Sequence, residues 1–351
     1  MADRYWVGGN GAWNSTNTTR WSATSGGASG ASVPTSLDKV YIDSNSGSSG
    51  ATITIAASYS ALCYSFSRTH NINITSSSSS GSLIVGDVSG GLNSGDYIDT
   101  SGFSSGMGGI TILGSTSGTP SVLTGCNIGQ TVDVVMSQGS IKSSGNIFIG
   151  SQVRVESGTT LDISGFSFQS RGLVFFSGGT LIATSTAVTM TGSNFSLSST
   201  TSFNPSTMTS LTLTDTSFTD NSSSSRTYPS VSFSTGSGGF PVYSAPNATM
   251  TITALTLNQN GLKVTSGQSL IIGTINTSGV DVGVAVLTTS GGSTPFTLSS
   301  ASGTRELNKL IISNCTATGG ATFTANNTSI DAGNNSGIQF ANTPSFLAFL
   351  M

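Results

Sequence analysis

Charge is what this sequence has least of. Only 7% of its 351 residues are Asp, Glu, Lys or Arg, against roughly a quarter in an average soluble protein. Two are glutamates, Glu156 and Glu306, and there is one histidine, His70. Helical bundles build their surfaces from Glu, Lys, Gln and Arg, so that class is excluded. With 11 basic and 14 acidic side chains, the chain has no electrostatic footprint for nucleic acid or an anionic membrane. A single histidine rules out a multi-histidine metal site, and any Ser-His-Asp triad would have to run through it. Three cysteines, Cys63, Cys126 and Cys315, are odd in number and far apart. They read as small buried hydrophobes in a reducing compartment, not as a disulfide framework. No segment approaches the roughly 20 apolar residues of a membrane span, so no membrane insertion is expected. Met1-Ala-Asp-Arg-Tyr-Trp6 lacks the apolar core of a secretory signal, which leads us to expect synthesis and folding in a cytoplasm. The glycine-rich stretches lack the Gly-Lys-Ser/Thr ending of a phosphate loop, and no cofactor is expected.

What the chain has instead is Gly, Ser and Thr, at 45, 68 and 50 residues, close to half of all positions. Simple disorder does not follow, because disordered chains combine low hydrophobicity with high net charge. Here the hydrophobic fraction is 35%, the mean hydropathy +0.12 and the net charge −3. The apolar residues recur in short alternating runs, among them Ile53-Thr-Ile55, Ile110-Thr-Ile112, Val153-Arg-Val155, Leu211-Thr-Leu213 and Phe296-Thr-Leu298. Period two is the signature of a strand with one face inward. Clusters such as Ser157-Gly158-Thr159 and Thr265-Ser266-Gly267 between the runs are turn chemistry. The best helical stretch, residues 305–312, is only about two turns long.

Many short, regularly spaced strands mean a sandwich, a barrel or a solenoid. The strands are too short and too numerous for a sandwich of usual size. Charge is absent between Asp99 and Asp133 and between Arg171 and Asp215. Stacked coils place like residues above one another, where repeated charge repels while Ser, Thr and Asn ladder by hydrogen bonds. Strands also recur as pairs across tight glycine turns, as in residues 153–163 and 262–272. The expected fold is all-β, an irregular, parallel β-helix-like solenoid, with no strict repeat. Leu173-Val-Phe-Phe176 interrupts the alternation, which suggests burial on both faces by internal packing or by a neighbouring chain.

The two ends differ from the middle. Residues 1–45 hold all three tryptophans, Trp6, Trp13 and Trp21, and read as an N-terminal cap or attachment segment. Residues 46–340 form the solenoid body. Residues 341–351 are an apolar tail whose Phe346, Leu347, Phe349 and Leu350 are expected to dock on the last coil or at a subunit interface, since an open terminal coil is an unpaired edge.

The motifs Arg4-Tyr-Trp-Val-Gly-Gly-Asn-Gly-Ala-Trp13, Thr19-Arg-Trp-Ser22, Ala31-Ser-Val-Pro34 and Asp38-Lys-Val-Tyr-Ile-Asp43 open the chain. This segment resembles the N-terminal part of glycine/serine-rich β-structured proteins of tailed bacteriophage virions and of some bacterial surface proteins. The late segment Ser329-Ile-Asp-Ala-Gly-Asn-Asn-Ser-Gly-Ile-Gln-Phe340 is similar to the closing element of the same modules. The match covers about 60 residues at the two ends. It implies a non-enzymatic virion part, a tail fibre, spike or capsid decoration subunit. Such a part is usually homotrimeric, joined to other capsid or tail proteins, located in the virion, and in contact with host surface glycan. A glycan-degrading tailspike enzyme and a bacterial surface adhesin module are the competing readings.

Few side chains suggest chemistry. Trp6, Trp13 and Trp21 form either an aromatic platform for sugars or, the stronger reading, a local core that holds a glycine-rich cap together. Glycan cleavage needs two carboxyl groups some 5–10 Å apart. The candidates are Asp96 with Asp99, Asp215 with Asp220, and Glu156 with Asp162, although Asp is also a favoured turn residue. A calcium-binding turn at Gly95-Asp96 would need stacked copies. Arg154 and Glu156 share one strand face and read as a surface ion pair. No catalytic or metal-binding residue is assigned.

Overall fold

In the computed structural model the described residues are 1–77, 81–86, 109–116, 120–123, 126–128 as backbone, 133–192, 194–222, 224–234, 240–246, 249–258, 261–277, 285–326 and 328–341. The chain is a β-solenoid of parallel stacked coils, 55% strand and 2% helix. Among the described residues the helix is two three-residue 3₁₀ turns, Thr18–Arg20 and Pro205–Thr207. Residues 305–312 contribute to two short strands, Thr304–Glu306 and Leu310–Ile312. The fold divides into two compact units, residues 1–183 with 200–203 and residues 184–199 with 204–351.

In the first unit a coil has three faces, as in Val134–Ser137, Gly139–Ser143 and Ile147–Ile149. Each strand pairs in parallel with its counterpart one coil away. On the first face the register aligns Ala61, Leu83, Ile110, Val134, Val153 and Val174 in one inward column. A second column holds Cys63, Val85, Ile112, Met136, Val155 and Phe176. All twelve side chains are buried, and each of the larger ones contributes about 1.5–3 kcal/mol by leaving water. Successive members from Ile110 to Val174 lie 24, 19 and 21 residues apart, so the coils are irregular, as no strict repeat in the sequence implied.

The structure corrects two readings of the sequence. Val153–Glu156 and Thr159–Asp162 flank a glycine turn but are not partners of each other; each pairs with strands one coil away. The turn is a corner between faces, and Gly158, at φ +79° with open space where a Cβ would sit, supplies the left-handed residue the corner needs. Gly267, at φ +75°, serves the same role between Gly261–Thr265 and Ser269–Asn276. Leu173-Val-Phe-Phe176 also keeps its alternation: Val174 and Phe176 are buried, whereas Leu173 and Phe175 are half-buried on the outer side. Phe175 stands in register with Arg154 one rung away.

The second unit stacks three faces in the same way. One runs through Asn194–Leu197, Ser217–Asp220, Val242–Ser244, Gly261–Thr265 and Ala285–Ser290. A second runs through Ala187–Thr191, Ser210–Thr214, Arg226–Ser234, Met250–Leu257 and Ser269–Asn276. The third is Thr304–Glu306, Thr322–Ala325 and Ile338–Phe340. Phe195, Phe218 and Tyr243 stack on consecutive rungs, with centroids 5.2 and 6.2 Å apart. Outward rows carry hydroxyls: Thr189, Thr212, Ser232 and Thr256 align. Thr214 Oγ1 meets Ser234 Oγ at 2.8 Å, and Thr288 meets Ser313 at 2.6 Å. At one corner Asn314 and Asn334, at φ +53° and +57°, stack, with Nδ2 of Asn334 donating to Oδ1 of Asn314 at 2.7 Å.

Candidate functional site

The N-terminal segment forms the first coil of the first unit. Asp3–Trp6 pairs in parallel with Lys39–Ile42, which pairs with Ser65–Arg68. On its other side Asp3–Trp6 pairs antiparallel with the two-residue strand Trp21–Ser22. A very short strand at the edge of a parallel stack limits the backbone left for another chain to join. The chain makes this reversal through Gly8 and Gly9, both at positive φ. The reversal brings Trp6, Trp13 and Trp21 together, each fully buried. Trp21 meets Trp6 edge-on at 5.1 Å and Trp13 at 4.9 Å, and the Trp6 indole N–H donates to the Gly9 carbonyl at 2.7 Å. Buried rings cannot form a sugar platform. The aromatic pair on the outer side is Tyr5 and Tyr41, stacked at 4.8 Å.

In the second unit the structure reveals a charged pair in the core. Asp220 ends an inward row in register with Leu197, and Arg226 begins an inward column that continues through Met250, Leu270 and Leu298. Both are buried and form an ion pair at 3.5 Å. Oδ1 of Asp220 also accepts from the Ser222 amide at 3.0 Å. Tyr228 and Tyr243, both at 0% exposure, complete the group. Burial pushes both phenols well above the usual value, and the Asp220 charge adds to it. The Arg226 guanidinium partly offsets the rise at Tyr228. The group is closed to solvent, so it organises the core and has no access to a substrate.

Glu156 pairs with Arg154 at 3.0 Å on the outer side, as their alternation implied. Asp162 instead accepts from the Ser164 amide in the following turn. Asp215 sits at a corner with φ +49°, while its proposed partner Asp220 is engaged with Arg226. Asp96, Asp99 and the tail residues Phe346, Leu347, Phe349 and Leu350 lie outside the described residues. His70 Nε2 lies 3.0 Å from the Gly47 carbonyl oxygen, a loop contact. Among the described residues no group of three or more His, Cys, Asp or Glu is placed to hold a metal, and no helix is long and apolar enough to cross a membrane.

Cys63 and Cys315 are free and buried. Burial raises both thiols, that of Cys315 to about 12 and that of Cys63 further. Only the thiolate is nucleophilic. In a Cys126→Ser background, both cysteines should therefore resist iodoacetamide at pH 8 in the folded protein and react fully in denaturant. Fast labelling of the native chain would show that the coils open there.

Comparison with family models, with curated proteins and with solved structures finds no significant match.

Proposed function

We propose that this chain is a non-enzymatic structural subunit of a tailed-bacteriophage virion, a tail fibre, spike or capsid decoration part that projects a rigid β-rich body toward the host surface. The observation that carries the reading is the division of labour across each coil. Apolar columns run in register on the inside, while in the second unit hydroxyl rows such as Thr189, Thr212, Ser232 and Thr256 run on the outside. That design puts the chain's chemistry into stacking and leaves little for catalysis. The resemblance at the two ends selects a virion part over other roles of a solenoid. An antibody raised against the chain should decorate purified particles in electron micrographs. Label confined to the cell envelope would instead support the adhesin reading, and release of reducing ends from host envelope glycan would support the enzyme.

The assembly proposed is a homotrimer. On the first unit, Leu62, Ile84, Val135 and Phe175 lie on one outward row, each half-buried, with Thr111 and Arg154 between them. Further copies of the chain are the occupants proposed for this row. In the second unit the last inward positions, Ile338 and Phe340, are only half-buried, whereas Phe323 and Ala325 one rung earlier are at 1% exposure. The apolar tail follows directly, and its proposed role is to cover that end. Deleting residues 345–351 should lower the melting temperature or reduce the sedimenting mass. An unchanged melt and mass would refute the cap.

A further inference from the structure

Two adjoining grooves in the second unit share a wall made by Glu306 and Asn308. The first, about 450 Å³, continues along Thr324, Asn326, Gln339 and Phe340. The second, about 380 Å³, continues along Ile275, Asn276, Thr277 and Lys309. Both volumes fall in the range of small-molecule clefts. Parallel pairing builds the floor of the first: Glu306, Thr324 and Gln339 occupy the same position on three consecutive rungs. The shared wall is fixed in place. The Leu307 amide donates to the Thr324 carbonyl at 2.7 Å, and Thr277 Oγ1 donates to the Asn308 carbonyl at 2.7 Å. The Lys309 amide donates to Thr328 Oγ1 at 3.0 Å, and Asn308 Nδ2 donates to Glu306 Oε2 at 3.2 Å.

We infer that these grooves form a binding site for a neutral oligosaccharide. Four primary amides, one carboxylate and two threonine hydroxyls supply donors and acceptors in both senses, which suits the paired hydroxyls of a sugar. Glu306 lines both grooves, and among the described residues lining the first no cation stands beside it, so an anionic sugar would meet the carboxylate there. Among the described residues lining either groove, Glu306 is the lone carboxylate. Glycoside hydrolysis uses a pair of carboxyl groups, and the site inferred here is one that retains its ligand without cutting it. This assignment rests on the surface-contact part of the function proposed above and names its chemistry.

The test is a microarray of neutral tetra- to hexasaccharides of glucose, mannose and N-acetylglucosamine, with sialylated chains as the anionic probe, read with the labelled full-length chain. Binding to at least one neutral series is expected, with none to the sialylated probes. Gln339→Ala and Asn308→Ala should each weaken the calorimetric Kd at least tenfold. Thr324→Trp, which fills the groove, should abolish binding, with the melting temperature confirming that each variant is folded. Failure to bind any neutral probe, unchanged affinity in Thr324→Trp, or binding to the sialylated chains alone would overturn the site. Particle labelling reads the structural role separately. Labelled particles with a silent array reject the grooves alone, and a positive array with unlabelled particles rejects the virion role alone.

Discussion

Replacing Arg226 with Met, or Asp220 with Leu, should each destabilise the protein by about 3–5 kcal/mol, because either change strands the partner charge in the core. The double replacement should recover most of the loss. Its side chains match the columns they enter: Met250, Leu270 and Leu298 continue the column of Arg226, and Leu197 stands one rung from Asp220. Taking two charges out of water costs several kcal/mol per ion, and their attraction repays this only when geometry and further hydrogen bonds are good. The double replacement tests whether the 3.5 Å pair, with the Ser222 amide donating to Asp220, contributes specificity more than net stability. Arg154→Ala, which breaks the exposed pair, should cost no more than about 1 kcal/mol and serves as the internal standard. Denaturant titration of the four variants measures all of this, and single-variant losses near the Arg154→Ala value would show that the core pair is hydrated. The neighbouring phenols set a second signature. Their folded values are raised, so the unfolded state releases those protons first, and stability should fall as pH climbs above the ordinary phenol value of about 10. Tyr228→Phe should reduce that alkaline loss.

The fold was legible because a solenoid writes its register into a local pattern. Val153, Val155, Leu161 and Ile163 alternate with polar residues, and each lies inward. The corner at Gly158 was legible for the same local reason. The partner of each strand was not, because nothing in residues 153–163 says whether the turn closes a hairpin or rounds a corner. That choice depends on strands some twenty residues away. The charged core pair carried a signal that went unused: Asp220 is in phase with Phe218, and Arg226 with Tyr228, so period two already pointed both inward. A preference for Asp in turns hid it. The tryptophans were recognised as a group, although their burial followed from a chain reversal at Gly8 and Gly9. The division into two units has no counterpart in composition, since residues 172–214 are uniformly uncharged across it. The grooves beside Glu306 join residues from 275 to 340, and only the rung register brings Glu306, Thr324 and Gln339 into one row.

Trp21→Ala should be the most damaging single change in the first coil. Trp21 is at 0% exposure and is the ring that touches both others, edge-on to Trp6 and to Trp13. Truncating a buried Trp to Ala costs about 3–5 kcal/mol through lost burial and the cavity left behind, and each aromatic pair contributes about 0.5–1.5 kcal/mol beyond its area. The indole N–H of Trp21 has no acceptor among the described residues, so its contribution is packing, and Trp21→Phe should lose less than half as much. In stacked coils each turn contacts only its neighbours, which makes stability a sum of local terms. The damage should accordingly be graded along the chain. Amide exchange should accelerate most in Asp3–Trp6 and Lys39–Ile42, less in Ser65–Arg68, and not measurably in Val153–Glu156. A cap that merely decorates an already stable stack would behave differently: exchange would rise in residues 1–45 alone, and the melting temperature of the remainder would stay at the parent value. The tryptophan cluster closes the stack only if protection in Ser65–Arg68 falls with it, because that strand keeps its own sequence and can lose order only through the coil it pairs with.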